Sequence, residues 1–192
     1  MRDRYHVGEE ETIYLFAGRV SPEKGVLEMT RAFRAVLPRL RHKSRLFIVG
    51  SASSGSDKES YYYRAVKKEA AQSPESIILT GYINHEDVAK YHVMADAQIV
   101  PPIMDDPAPL TVLEGMSMGN FLLLSKAGGI PEYSANYSNK IFFERGDSFE
   151  KNIRDAFLSY DQDKAPHRYE NSANHFGEER YYRELAEAVD VS

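Results

Sequence analysis

Two cations, Arg19 and Lys24, stand in the stretch "FAGRVSPEKGV", bracketed by Gly18 and Gly25 directly after an apolar run. An arginine fork can take phosphate oxygens two at a time, and a lysine adds a movable point charge. The same residues would also suit a solvated turn. Two acids, Asp106 and Glu114, stand with seven residues between them in "DDPAPLTVLEGMSMG". Pro109 marks a helix start between them, so the first amides of that helix, around Leu110 and Thr111, form an anion site. Glu114, one turn further, could accept hydrogen bonds from adjacent sugar hydroxyls. It could equally be an exposed helix residue, although apolar neighbours on both sides require a buried carboxylate to have a partner. Gly81, Tyr82 and Ile83 form a third loop able to read the edge of a heterocycle, or merely to turn strand into helix. Tyr91, Ala95 and Asp96 read as packing and a helix stop. "SKAGGIPEY", with Gly128, Gly129 and Glu132, predicts a tight loop lining the same cleft.

These loops need a scaffold that brings them to one edge. Six short apolar runs supply strands: "TIYLFAG", "SRLFIVG", "SIILTGY", "AQIVPP", "FLLLS" and "KIFFE". Helical patterns alternate with them, over Val26 to Leu40, from an Asp57 cap to about Gln72, over "HEDVAKYHVMA" capped by Asn84, over "PLTVLEGMSMG", from Ser148 to Tyr160, and from about Glu178 to Val189. Strand–helix alternation predicts an α/β fold, a Rossmann-like three-layer α/β/α domain with a mostly parallel sheet. Ligands then bind beyond the carboxyl ends of the strands, where all four motifs lie. Residues 1–11, charged and aperiodic, read as a leader or linker, and "DQDKAPHRYEN" as a linker between the last two helices.

Composition narrows the classes. The 192 residues carry a net charge of −5, which disfavours nucleic acid or an anionic membrane as the main partner. No apolar run could span a bilayer and no signal peptide opens the chain. Without cysteine there is no disulfide, thiolate metal site or thiol catalysis, in keeping with a cytoplasmic place. Asp105 and Asp106 are adjacent, without the spacer of a DxD metal motif, and no metal is expected.

Together the motifs resemble the C-terminal half of a retaining GT-B glycosyltransferase of the group 1 family. "GRVSPEKG", "LTGYINHEDVAKYHVMADAQIVPP", "DPAPLTVLEGMSMG" and "GGIPEY" occur in that family's order and spacing. The resemblance runs from about Tyr14 to Glu132 and more loosely to the end. It implies that Arg19 and Lys24 hold the donor diphosphate, that Asp106 contacts the donor sugar and Glu114 the ribose, and that Gly81, Tyr82 and Ile83 read the base. Gly18, Pro109, Leu110 and Thr111 would complete the substrate site. The family usually has Glu at Asp106, and an aromatic and a glycine at Ala108 and Pro109. The "PAPL" pattern resembles a subset of polysaccharide-building members.

The resemblance further implies transfer of a hexosyl-type sugar from a UDP-sugar or GDP-sugar, with retention, in polysaccharide, lipopolysaccharide or glycolipid synthesis. No cofactor is implied. The donor domain spans residues 12–192, and the N-terminal acceptor-binding half is absent from this chain, so activity of the isolated domain is not expected. Any peripheral membrane contact would run through that missing half. The rival readings are a sugar-nucleotide epimerase of related fold and a non-catalytic nucleotide-binding module. A flavodoxin-like signalling domain lacks the acidic cluster at the end of the first strand.

Overall fold

The computed structural model describes residues 1–52, 60–106 and 109–160. The expected helix from Glu178 to Val189, the linker before it, Asp57 and Ala108 lie outside them. Six strands form one sheet: β1 (Thr12–Ala17), β2 (Ser44–Val49), β3 (Ile77–Gly81), β4 (Ala97–Val100), β5 (Phe121–Ser125) and β6 (Lys140–Phe143). Their order is β3-β2-β1-β4-β5-β6, and every pair is parallel. The chain winds outward from β1 in one direction and then, from β4, in the other. The point of reversal lies between β1 and β4, the place where such sheets open a crevice.

The strands are mostly apolar because both faces are covered, although Gln98 is buried within β4 and Arg45 and Lys140 stand near the starts of β2 and β6. Alternate residues of β1 divide between the faces. Tyr14 and Phe16 join the core under α1 (Val26–Val36), α2 (Tyr61–Ala70) and α6 (Phe149–Ser159). Ile13, Leu15 and Ala17 join Tyr91 and Met94 of α3 (His85–Met94) on the other face. Further along that face, α4 (Leu110–Ser117) and the short α5 (Ile130–Tyr133) cover Leu122 and Leu124.

Several boundaries differ from the sequence expectation, each for a local reason. The first helix ends at Val36 and tightens into a 3-10 turn over Leu37–Arg39, where Pro38 cannot donate to an α-helical ladder. α2 begins later than expected, with the Ser60 hydroxyl accepting from the Tyr63 amide at 3.1 Å. Asn84 stands at the cap position of α3, but its side chain accepts no hydrogen bond there. Its carbonyl instead takes the amides of Asp87 and Val88. α5 was not expected, because four residues are too few to show a period.

Residues 1–11 dock on the sheet through a 3-10 turn, Asp3–Tyr5. The Tyr5 ring meets Phe47 edge-on at 4.9 Å, and its hydroxyl pairs with that of Tyr91 at 2.7 Å. Arg2 reaches Asp96, whose carboxylate also accepts from the Ile13 amide at 2.7 Å. Glu11 is buried between Arg45, at 2.6 Å, and Lys43, at 3.2 Å. Burial alone would push its carboxyl up. Hydrogen bonds from Arg45, the Gly8 amide and Lys43 overcome that and hold it at about 2.

Candidate functional site

At the carboxyl ends of β1 and β4 lies a cleft of about 280 Å³. Its walls include Gly18, Arg19, Lys24, Asp106, Pro109, Leu110 and Thr111, seven residues from two distant motifs. The sequence separates these motifs by more than eighty residues, and the order of the strands brings them together.

The cationic loop is built to hold Lys24 at this cleft. Pro22 opens a 3-10 turn over Pro22–Lys24, which Gly25 closes in the left-handed region at φ 66°. A Cβ on Gly25 would stand 2.1 Å from the Pro101 carbonyl oxygen, so only glycine lets the loop approach β4 this closely. The amide of Ile103 donates to the carbonyl of Glu23 at 2.9 Å and ties the two loops further. Lys24 Nζ then lies 2.5 Å from Asp106 Oδ2. Arg19 is 62% exposed and pairs with Glu23 at 3.1 Å. Both cations therefore already face a carboxylate.

Asp106 is held from behind by the glycine loop. Its carbonyl accepts from the Gly129 amide at 3.1 Å. Gly128 sits at φ 51°, and a Cβ there would come within 2.4 Å of that carbonyl oxygen. The neighbouring Asp105 turns the other way, accepting from the Gly128 amide at 2.9 Å and from Arg145 at 2.8 Å.

α4 begins at Leu110, with Pro109 at its cap. The amides of Leu110 and Thr111 lie in its first turn and have no carbonyl four residues back within the helix. Gln98, fully buried on β4, donates through Nε2 to the Thr111 carbonyl at 2.8 Å and to Thr111 Oγ1 at 2.6 Å. Since Oγ1 accepts, its own proton is available to an acceptor in the cleft. The start of α1 is used differently, as the Leu27 amide donates to the Tyr62 hydroxyl at 2.9 Å.

Four expected site residues do not line this cleft. Gly81 ends β3 and Tyr82 and Ile83 follow it, two strands away from β1, or roughly 10 Å at ordinary strand spacing. The Tyr82 ring is exposed, while Ile83 packs into the core beside α3. Glu114 lies a turn along α4, turned toward α3, where its Oε2 is 3.5 Å from Nε2 of His92. The nearby His92 imidazole holds its carboxyl below the usual carboxylate range, against the opposing effect of burial. The charge of His92, and then that of His85, lowers it further. Glu132 is exposed. His92 was not among the expected site residues. It sits four residues after Val88 and three before Ala95, which put it on the apolar stripe of α3, and a polar residue on that stripe was the available signal.

Among the described residues no three His, Cys, Asp or Glu side chains converge as a metal would need. Among the same residues no helix is long and apolar enough to cross a membrane.

A parallel sheet of this order, with cations and a helix N-terminus at its switch point, defines a Rossmann-like α/β domain. Residues 1–176 match the family described as glycosyl transferases group 1, and the chain belongs to that family. It is 31% identical over 134 residues to a lipopolysaccharide 1,2-N-acetylglucosaminetransferase of Salmonella typhimurium, covering 69% of this chain and 35% of that protein. It is 26% identical over 136 residues to an uncharacterized glycosyltransferase of Methanocaldococcus jannaschii, covering 71% of this chain and 33% of that one. The chain thus spans about a third of the length of these curated relatives. Among solved structures, Anabaena HepE in complex with UDP and glucose superposes with a TM-score of 0.73 at 16% identity, over all of this chain and 51% of that one. Sucrose-phosphate synthase from Thermosynechococcus elongatus superposes at 0.72 with 21% identity, over 97% of this chain and 48% of that one. The fold is that of one half of a GT-B glycosyltransferase.

Proposed function

We propose that this chain is the donor-binding half of a glycosyltransferase that moves a sugar from a nucleoside diphosphate sugar to an acceptor. The observation that carries the reading is the convergence of Arg19, Lys24, Asp106 and the first turn of α4 on one cleft at the switch point. Donors there suit a diphosphate. Lys24, Arg19, the amides of Leu110 and Thr111, and the Thr111 hydroxyl can all donate to phosphate oxygens, the last because Gln98 occupies its acceptor side. As the glycosidic bond breaks, negative charge grows on the leaving diphosphate and positive charge on the sugar ring. The donors answer the first and the Asp106 carboxylate, on the opposite side of Lys24, answers the second.

From α4 the nucleotide would run toward the start of α3. Glu114 stands on the way, within reach of the ribose hydroxyls, and Gly81, Tyr82 and Ile83 meet the base. HepE, similar in fold, was solved with UDP and with UDP-glucose, which supports a UDP-sugar over a GDP-sugar. The Salmonella relative transfers N-acetylglucosamine onto lipopolysaccharide, which supports a hexosyl-type sugar and a polysaccharide, lipopolysaccharide or glycolipid acceptor. Retention of configuration, an acceptor-binding N-terminal half outside this chain, residues 12–192 as the donor domain, a cytoplasmic place and any membrane contact through the other half belong to the same reading. A thermal-shift screen of the 192-residue chain against nucleoside diphosphates and their sugars tests it. A ligand at a hundred times its Kd adds about 2.7 kcal/mol of stability. UDP and a UDP-sugar should raise Tm, and free uridine at equal concentration should not. A screen in which no nucleotide shifts Tm sinks the proposal.

A further inference from the structure

Behind Glu114 lies a small polar network that none of the donor contacts uses. His92 is almost wholly buried, with its side chain only 2% exposed. Its Nδ1 lies 3.4 Å from Asn120 Oδ1, and its buried Nε2, which makes no hydrogen bond to the described residues, lies 3.5 Å from Glu114 Oε2. The orientation of Asn120 is settled by its own bonds. Its Nδ2 donates to the carbonyls of His92 and Ala95, both at 2.9 Å, so its Oδ1 is the acceptor that faces the ring. Nδ1 of His92 must then carry a proton. In the neutral ring Nε2 would present a lone pair to a carboxylate, two acceptors face to face. Only a second proton, on Nε2, turns the contact into an attraction.

Resting on the reading of Glu114 as the ribose ligand, we infer that His92 is a positioning residue whose doubly protonated imidazole holds the Glu114 carboxylate toward the ribose hydroxyls, so that recognition of the ribose is tied to one buried proton. Asn120 is the back support. Its carbonyl accepts from the Tyr137 hydroxyl at 2.7 Å, which fixes it against the core. The groups facing the pair are few. Glu114 comes from α4, Tyr137 stands behind Asn120, and His85, in the first turn of α3, adds a weaker charge at Glu114. Sugar transfer needs the carboxylate in one rotamer, because two adjacent hydroxyls must be met at once. Glu114 is 34% exposed, and its carboxylate has no other ion pair or hydrogen bond among the described residues, so His92 supplies that restraint.

The test compares UDP with 2′-deoxy-UDP by calorimetric titration into the full 192-residue chain. The ratio of the two affinities isolates the ribose contact and cancels the titration of the phosphates. The ratio should be about tenfold or more in acid, the size of one hydrogen bond to a charged group. It should fall once the pH is high enough to remove the proton from Nε2. Glu114→Gln should reduce the ratio at all pH values. His92→Phe should bring it to about one. His92→Gln, which keeps an N–H donor near the position of Nε2, should retain the ratio and make it flat with pH. His85→Gln should keep the wild-type slope. If Glu114→Gln loses the ratio but His92→Phe keeps it, the role of His92 is refuted and the nucleotide reading stands. If wild type shows no preference for the ribose hydroxyl, the ribose reading falls and takes His92 with it. Should His92→Phe fail to fold, as judged by circular dichroism, His92→Gln decides, and a wild-type pH slope in that variant overturns the proposal.

Discussion

Replacing Lys24 by Met removes a charge while keeping the stem that packs beside the cleft. Lys24 is 31% exposed and lies 2.5 Å from Asp106, itself 21% exposed, so its charge acts in a partly desolvated place. A charge-assisted hydrogen bond to a phosphate from such a place is worth about 1.5–3 kcal/mol. Lys24→Met should therefore weaken UDP by about 10- to 150-fold. Arg19 is twice as exposed and is paired with Glu23. Solvent and salt screen it, and Arg19→Gln should cost only about 0.5–1.5 kcal/mol, less at high ionic strength. The two losses need not add, because both cations serve one ligand. Uridine, which lacks the phosphates, should bind every variant as it binds wild type. Titration calorimetry of UDP and uridine into wild type, the two single variants and Arg19→Ala/Lys24→Ala measures all of this. Equal weakening of nucleoside and diphosphate would mean that the loop acts through folding. No weakening of either would return both cations to the solvated turn that the sequence also allowed.

Gly128→Ala should lower Tm and weaken UDP-sugar binding together, since the new Cβ would press on the Asp106 carbonyl from a left-handed position. We expect about 1–3 kcal/mol of destabilisation by urea titration, and an unchanged midpoint would show that the loop can yield. Glu114→Gln should keep the fold and weaken UDP by about 1–3 kcal/mol. A variant that instead loses stability and binds normally would make Glu114 a structural carboxylate. Glu11 carries a pH prediction. Its folded pKa is depressed to about 2, so its contribution is present above the ordinary carboxylate range and is lost as pH falls from about 4.5 toward 2. Glu11→Gln should cost about 1–3 kcal/mol at neutral pH, and its stability should converge on that of wild type in acid. A gap that stays constant with pH would mean that packing, not charge, is the contribution of Glu11.

The sheet was legible because each strand is mostly apolar, as in "FLLLS", which matches β5 residue for residue. Such runs arise when both faces are covered, and they ask for no tertiary knowledge. The two cations and two acids were legible as candidates because their spacing is local. Their pairing was not. Nothing in "GRVSPEKG" says that Lys24 will meet Asp106 rather than a neighbour such as Glu23, since that depends on β1 lying beside β4. Glu11 failed for a related reason. Its burial follows from β1 and β2 running in register, Ile13 beside Arg45, which sets the guanidinium at the foot of the neighbouring strand. In the sequence it is one more charge among charges. His92 is intermediate, since its place on an apolar stripe was visible, but its partner on α4 was not.

The adjacent pair Asp105 and Asp106 shows how the fold turns a short acidic run into two different tools. In an extended segment consecutive side chains point to opposite sides. Asp105, 70% exposed, faces the glycine loop and Arg145, whose other nitrogen donates to the Ile103 carbonyl at 2.9 Å. That clasp ties the Asp105 side chain to the backbone two residues before it. Asp106 is thereby left with its direction decided, into the cleft and onto Lys24. A diphosphate drawing Lys24 toward its oxygens would loosen that ion pair just when the sugar beside it begins to carry positive charge. In the proposed donor complex, the carboxylate that would face the sugar and the ammonium that would face the phosphate hold each other in place beforehand. Each would then need only a small shift to serve its own end of the breaking bond, as preorganisation at such a site demands.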